Sequence, residues 1–286
     1  MDSDEEQEVS YKRKKLERIK LTDKNMKNLA QSLILEKKFG TEKLMNFLFC
    51  DLSHLYFYHY LCESVNDLNW GCAWRSLQSA LRFQLSLNNK EEDISFYHLF
   101  IKYGSKDTLM EIFKKMCKKQ DKDKIISILS TKVFAPFENS DGWAEPFITQ
   151  LVLYDFGYEG DLILVNGYPS RSYAPKEVFD KTVSFNEFKE ILKAHFSQKN
   201  PGPIVLDDSC ASIGLIGIKF DEENGNVELM IMDPHATGNP DKGLYIITLD
   251  KDGEFVKIDP DALILVSRSI YFSKNKPWMA YIPKTK

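Results

Sequence analysis

Cysteine is scarce in this chain of 286 residues, and long apolar runs are missing. An odd number of scattered cysteines without a C-x-x-C pair indicates neither a disulfide scaffold nor a zinc site. No segment approaches the roughly 18 apolar residues that a membrane-spanning helix needs, and residues 1–6 (MDSDEE) are acidic rather than apolar. We therefore expect a cytoplasmic or nuclear protein without a membrane span or a metal. The cysteines are Cys50, Cys62, Cys72, Cys117 and Cys210.

Charge of one sign is not in excess either. The 38 Lys and Arg residues nearly balance the 42 Asp and Glu residues, so the formal net charge is only −4. This balance argues against general nucleic-acid binding. Hydrophobic residues make up 43% of the chain and charged residues 28%, a composition that predicts a large folded core and excludes a disordered protein.

Residues 1–45 differ in pattern from the rest of the chain. An acidic opening is followed by the basic run KRKK at residues 12–15 and then by leucines at helical spacing, a pattern that ends near Gly40. We interpret the basic run as a solvated charge run, with a nuclear address as the alternative. The chain thus divides into a charged, partly helical extension over residues 1–45 and a main domain over residues 46–286.

The main domain changes its hydrophobic period along the chain. Helical spacing predominates up to about residue 200, and strand-like runs follow it, with residues 223–226 (ENGN) as a tight hairpin connection. Helices followed by an antiparallel sheet predict an α+β fold. The predicted helices cover residues 73–85, parts of 92–135, 145–157 and 185–196. The predicted strands cover residues 161–165, 204–206, 213–220, 227–232, 245–249 and 255–258.

Residues 70–78 (WGCAWRSLQ) place a cysteine where a helix is predicted to begin. Gly71 is expected to let the backbone turn and approach a substrate closely. Cys72 would then lie at the positive end of the helix dipole, where a thiol ionises more readily than the free value of about 8.5. This placement favours a nucleophilic thiolate over a structural cysteine.

A second segment, residues 232–235 (MDPH), supplies the remaining groups for thiol chemistry at the end of a predicted strand. A thiolate that attacks a carbonyl carbon needs an imidazole within about 3 to 4 Å, and His235 is the candidate. Asp233 lies two residues earlier and would accept the other imidazole N–H. Together with Cys72 they predict a Cys-His-Asp hydrolase. The order of these segments resembles papain-like folds, in which the nucleophile begins a helix and the histidine follows on a sheet.

These motifs resemble the UFM-specific cysteine protease family, whose members act on the ubiquitin-fold modifier. The resemblance rests on residues 56–60 (YFYHY), Asp67, residues 70–78 and residues 233–238 (DPHATG), and it extends from about residue 56 to the C-terminus. It implies a papain-like domain of the compact type. It also implies cleavage after the C-terminal glycine of the modifier, either to mature the precursor or to remove the modifier from conjugates.

Carried over to this chain, the resemblance implies Cys72 as the nucleophile, His235 as general base and acid, and Asp233 as the orienting carboxylate. It adds Tyr60 as the hydroxyl that stabilises the oxyanion, a role that the residues alone do not predict, because aromatic residues in such runs are usually core. No cofactor is implied. The partners implied are the modifier and its conjugates, and an adaptor protein that could also bring the enzyme to the endoplasmic reticulum surface.

Two departures from the family pattern bear on specificity. Residues 207–214 (DDSCASIG) stand where the family has a glycine-rich turn and a histidine, and Trp74 replaces a tyrosine after the nucleophile. An autophagy-modifier protease or a deubiquitinase of the same superfamily remains an alternative, although the sequence after Cys72 and the Thr-Gly after the histidine favour the UFM type. A catalytically silent modifier-binding protein is the alternative from a different class.

Overall fold

The computed structural model describes residues 27–28, 32–117, 123, 125–127, 144–172, 174–237, 240–258 and 276–285. The basic run at residues 12–15 and part of the predicted extension lie outside these residues. The helical pattern of the extension corresponds to a helix that ends at Phe39, immediately before Gly40, whose φ of 79° is left-handed. In the described part of the chain, none of the helices combines the length and apolar character needed to cross a membrane.

Seven α-helices are formed by the described residues, and most fall where the sequence predicts them. They are α1 (Ser32–Phe39), α2 (Thr41–Leu44), α3 (Cys72–Leu87), α4 (Phe96–Tyr103), α5 (Lys106–Met116), α6 (Pro146–Asp155) and α7 (Phe185–Phe196). The start of α7 is fixed by a capping box, in which Ser184 accepts from the N–H of Glu187 and the Glu187 carboxylate accepts from the N–H of Ser184.

Eleven strands are described, and nine of them form one sheet. The strands are β1 (Lys27–Asn28), β2 (Leu48–Phe49), β3 (Tyr56–Phe57), β4 (Gly160–Val165), β5 (Lys181–Val183), β6 (Ile204–Asp207), β7 (Ser212–Asp221), β8 (Asn226–Met232), β9 (Leu244–Leu249), β10 (Phe255–Ile258) and β11 (Trp278–Pro283). The order in the sheet is β10-β9-β8-β7-β6-β11-β4-β5, and β2 pairs with β7. The α+β class is confirmed.

The sheet differs from the sequence-based expectation at two points. Strand β11, which the hydrophobic pattern does not separate from its surroundings, lies between β4 and β6 and is antiparallel to both. Strands β4 and β5 are parallel, so the sheet is mixed rather than wholly antiparallel. Strand β5 lies on the side of β4 opposite to β11 and is therefore an edge strand.

Both faces of the sheet are covered, and this explains the continuous apolar runs of its strands. Along β4, Leu162 and Leu164 point to the core shared with the helices α3 to α6, whereas Ile163 and Val165 point to the core on the opposite face, which includes α7. In a strand that is buried on both faces, successive residues are all apolar, so polar and apolar residues do not alternate. Helix α3 packs against β6 and β7, and this packing brings its first residue to the sheet.

Candidate active site

Cys72 is the first residue of α3, and Gly71 is its N-cap. The helix is 16 residues long and has no acidic residue in its first turn, so the partial positive charge of its N-terminus acts on the thiol without a competing carboxylate there. The side chain is fully buried, with a relative exposure of 0%. The sequence-based placement of the cysteine at a helix start agrees with this geometry.

The structure gives a reason for glycine at position 71 other than the expected backbone turn. Its φ of −84° and ψ of −1° are open to any residue, so the turn itself does not require glycine. A β-carbon at this position would lie 2.6 Å from both Cβ and Oδ2 of Asp67. Close packing against Asp67, rather than backbone freedom, is therefore the reason for glycine beside the nucleophile.

Replacing Gly71 by alanine is accordingly expected to displace Asp67. Overpacking of this kind costs about 1–3 kcal/mol, and we expect the free energy of unfolding in urea to fall by that amount. Hydrolytic activity should fall as well, because Asp67 lies directly behind the turn that carries Cys72. A Gly71→Ala variant with wild-type stability and activity would show instead that the carboxylate has room to move.

The Asp-Pro-His segment follows β8 and holds the imidazole tightly. His235 donates from Nδ1 to Asp233 Oδ1 at 2.6 Å, and its backbone N–H donates to the same oxygen at 3.0 Å. Because an ionised carboxylate only accepts, Nδ1 carries the proton and Nε2 is left for the thiol. The other oxygen, Oδ2, accepts from the hydroxyl of Tyr245 at 3.1 Å. The carboxylate therefore fixes both the tautomer and the orientation of the ring.

The side chains of Cys72, His235 and Tyr60 lie next to one another. Burial by itself would lower the pKa of His235, but hydrogen bonds to Asp233 and Cys72 and the charges of these two groups raise it to about 10. The rings of Tyr60 and His235 meet edge to face, with centroids 5.0 Å apart. The structure thus brings together all four residues that the sequence and the resemblance select.

The hydroxyl of Tyr60 is held beside the sulfur. Burial raises the pKa of Tyr60, and the neighbouring Cys72 raises it further, so the hydroxyl stays protonated. It has no nitrogen or oxygen partner among the described residues and is therefore available to an incoming oxyanion. The backbone N–H of Tyr60 donates to the carbonyl of Pro234 at 2.8 Å, which ties this loop to the histidine segment.

The altered segment at residues 207–214 places acidic groups close to the nucleophile. Asp207 ends β6 and is 2% exposed, and burial, followed by the charges of Glu145, Asp208 and Cys72, raises its pKa well above the usual range. Asp208 forms an ion pair with Lys276. A buried neutral Asp207 carboxyl would disturb the thiolate less than an ionised one, so this departure is compatible with an active cysteine.

Tyr245 is the contact in this site that sequence reasoning missed. Residue 245 was predicted to begin a strand, and the pairing of β8 with β9 places it opposite Ile231, two residues before Asp233. A tyrosine in a strand is ordinarily a core residue, so only the register reveals that its hydroxyl reaches the carboxylate. No group of three or more His, Cys, Asp or Glu side chains in the described part of the chain is placed to hold a metal ion.

Known proteins with similar sequences point in one direction. The sequence profile of Peptidase family C78 matches residues 48–254, well over half of the chain. Ufm1-specific protease 2 of Rattus norvegicus is 25% identical over 187 residues, which are 65% of this chain and 32% of that protein. Probable Ufm1-specific protease 2 of Drosophila melanogaster is 24% identical over 204 residues, which are 71% of this chain and 26% of that protein.

The fold also has a partial match among solved structures. The crystal structure of UfSP from C. elegans aligns with 84% of this chain and 34% of that chain, with a TM-score of 0.47 and 15% sequence identity. This chain spans about a third or less of the length of the relatives above. The profile match includes both the segment that carries Cys72 and the segment that carries His235, and the chain therefore belongs to Peptidase family C78.

Proposed function

We propose that this protein is a thiol protease and isopeptidase that cleaves after the C-terminal glycine of a ubiquitin-fold modifier. The observation that carries the proposal is the thiol of Cys72 at a helix start, beside an imidazole that Asp233 holds at 2.6 Å. Membership of a peptidase family and the names of the relatives support both the chemistry and the substrate.

The reaction would proceed in two acyl-transfer steps. The Cys72 thiolate attacks the carbonyl carbon of the terminal glycine, and the Tyr60 hydroxyl and the N–H of Cys72 stabilise the oxyanion that forms. The His235 imidazolium then protonates the leaving amine, which is a peptide nitrogen in a precursor or a lysine nitrogen in a conjugate. His235 next removes a proton from water, the water attacks the thioester carbon, and the thiolate leaves.

Burial of the reacting groups supports a thin substrate tail. Cys72, Tyr60 and His235 are 0%, 3% and 8% exposed, respectively. A chain end that reaches such a thiol must lack bulk beside the scissile bond, as a tail ending in glycine does. The folded body of the modifier would remain outside and supply most of the binding energy.

Electrophilic probes test both the chemistry and the specificity. The purified protein is incubated separately with Ufm1, ubiquitin and an autophagy modifier, each tipped with a vinyl methyl ester, and the products are examined by intact mass. We expect an adduct with the Ufm1 probe and none with the others. Peptide mapping should place it on Cys72 rather than on the exposed Cys210.

Each other outcome rejects part of the proposal. An adduct only with ubiquitin or the autophagy modifier would retain the thiol chemistry and replace the substrate. Binding of Ufm1 in calorimetry without any adduct would favour a catalytically silent binding protein. In that case the acidic segment at residues 207–214 would be the first feature to examine for obstruction of the site.

We also propose that the protein works in the reducing cytoplasm. All five cysteines are unpaired. Cys72 is the proposed nucleophile, and Cys210 is an exposed thiol. An oxidising compartment would threaten such groups. Microscopy of the tagged full chain should show cytoplasmic signal, and signal confined to a secretory compartment would contradict this location.

A further inference from the structure

A buried charged network lies directly behind the nucleophile. Arg75, in the first turn of α3, is 0% exposed and donates from Nε to Asp67 Oδ2 at 2.6 Å. Its Nη1 donates to Glu63 Oε2 at 2.6 Å, and its Nη2 donates to the carbonyl of Cys62 at 2.9 Å. Charge-assisted bonds of this length in a dry environment hold the guanidinium in one position.

Through Asp67, this network reaches the loop that carries Tyr60. Asp67 Oδ1 accepts the backbone N–H of Leu61 at 2.8 Å, and Leu61 follows Tyr60 directly. The N–H of Tyr60 donates to Pro234 on the histidine side at 2.8 Å. The Tyr60 segment is therefore held at two consecutive N–H groups, one tied to the helix of Cys72 and the other to the segment of His235.

Two residues of the Tyr60 loop have an unfavourable backbone conformation. Leu61 has a φ of 63° and Glu63 a φ of 58°, both in the left-handed region that side chains with a β-carbon disfavour. Such conformations persist where surrounding contacts determine them, and they are concentrated at functional sites. Here the contacts are the bonds of Asp67 to Leu61 and of Arg75 to Glu63 and Cys62.

A second anchor makes the network rigid. Gln78, one turn further along α3, donates to the Glu63 carboxylate at 2.9 Å and to the carbonyl of Ile94 at 2.8 Å. The Arg75 guanidinium carbon lies over the Phe96 ring, 4.2 Å from the ring centroid. Gln78 thus faces the network rather than serving only as helix packing, and the first two turns of α3 form one unit with the loop.

We propose that Asp67 is a positioning residue that sets the Tyr60 hydroxyl against the Cys72 sulfur by joining the Leu61 N–H to the Arg75 guanidinium. The inference rests on the proposed function, because it assigns Asp67 to the oxyanion donor of that reaction. Asp67 does not touch the reacting atoms. It acts by fixing the Tyr60 loop relative to α3, and it also packs against Gly71, the residue before the nucleophile.

The test is a double-mutant cycle between Asp67→Asn and Tyr60→Phe. Asparagine keeps the volume and an acceptor but removes the charge that holds Arg75. A misplacement of about 1 Å can cost on the order of 100-fold in rate, so we expect kcat on a Ufm1 precursor to fall about 10- to 100-fold, with KM changed less than about twofold. In the Tyr60→Phe background, Asp67→Asn should lower kcat less than about twofold further.

A matched control separates positioning from loss of stability. The Asp180 carboxylate accepts the N–H of Leu162 at 2.8 Å, a side-chain to backbone bond like that between Asp67 and Leu61, but Asp180 is exposed and lies immediately before β5. Asp180→Asn is expected to leave kcat unchanged, and thermal melting of each variant measures the stability cost. Arg75→Lys, which keeps the charge without the planar fork, should lose kcat to an intermediate extent.

A readout that needs no modifier keeps the inference independent of the proposed substrate. Alkylation of Cys72 by iodoacetamide is followed against pH by peptide mass. Because the Tyr60 hydroxyl lies beside the sulfur, Tyr60→Phe should alter the alkylation profile of Cys72. Asp67→Asn should alter it in the same direction, and the double variant should alter it no further than Tyr60→Phe alone. Additive losses in the cycle, or an unchanged alkylation profile in Asp67→Asn, would overturn the inference even if the wild type cleaves Ufm1. Failure of the wild type on every modifier would reject the proposed function alone.

Discussion

Substitution of Cys72 by alanine should abolish turnover of a Ufm1 precursor while leaving Ufm1 binding within about twofold of wild type. In the proposed reaction the thiol would form the acyl-enzyme and no other group in the site could replace it, and loss of a nucleophile in comparable hydrolases costs on the order of 10⁶-fold in kcat. Under the proposed function, most of the binding energy would come from the modifier's folded body, and alanine removes only one buried atom. Precursor cleavage followed on gels and calorimetry with mature Ufm1 measure the two quantities.

The matched control for this variant is Cys210→Ala. Cys210 is an exposed thiol whose sulfur lies 3.6 Å from Nη1 of Arg171, so an electrophilic probe can also reach it. We expect full activity in Cys210→Ala. Comparable loss in both variants, or residual turnover in Cys72→Ala above about 1% of wild type, would mean that Cys72 is not the nucleophile.

Periodicity predicted the elements of this fold well where burial leaves a clear trace in the sequence. Helix α7 and strand β10 have the bounds that the hydrophobic pattern predicts. Helix α3 begins at Cys72, one residue before its predicted start. Its N-cap is a glycine, which lacks the capping side chain that would mark the start of the helix in the sequence. Local patterns of this kind depend on neighbours within one or two turns, which a single sequence contains.

The pairing of strands that are distant in the chain could not be predicted, because it depends on residues outside any local stretch of sequence. Strand β11 follows a long stretch without a clear period and lies between β4 and β6, far from both in the chain. The parallel pairing of β4 with β5 depends on where the crossover returns.

The residues of the candidate site also differ in whether the local sequence could identify them. Cys72, His235 and Asp233 could be selected from local chemistry, since each lies at the end of a recognisable element. Tyr60 required the family resemblance, because an aromatic run does not reveal which ring faces a thiol. Tyr245 needed the register of β8 and β9, which places its hydroxyl 3.1 Å from Asp233.

The pH profile of the reaction should depend on Asp233. In the wild type the raised pKa of His235, about 10, keeps the imidazole protonated and paired with the thiolate through the neutral range, so kcat/KM should decline only as the pH approaches that value. Asp233→Asn removes the carboxylate that holds Nδ1 at 2.6 Å, whereas burial, which lowers the pKa, remains. The alkaline limb should therefore move to lower pH by at least about one unit.

The same variant should lose about 10²- to 10⁴-fold in kcat at neutral pH, because the imidazole is no longer fixed in the tautomer that presents Nε2 to the thiol. Tyr245→Phe is the graded comparison: it removes the bond to Oδ2 but keeps the charge, so kcat should fall less than about tenfold and the alkaline limb should stay within about half a unit of wild type. Initial rates on a Ufm1 precursor between pH 5 and 11 give both parameters. If Asp233→Asn retained the wild-type alkaline midpoint, the carboxylate would not be what sustains the imidazolium, and the ion pair would have to draw its stability from the helix dipole and the thiolate alone.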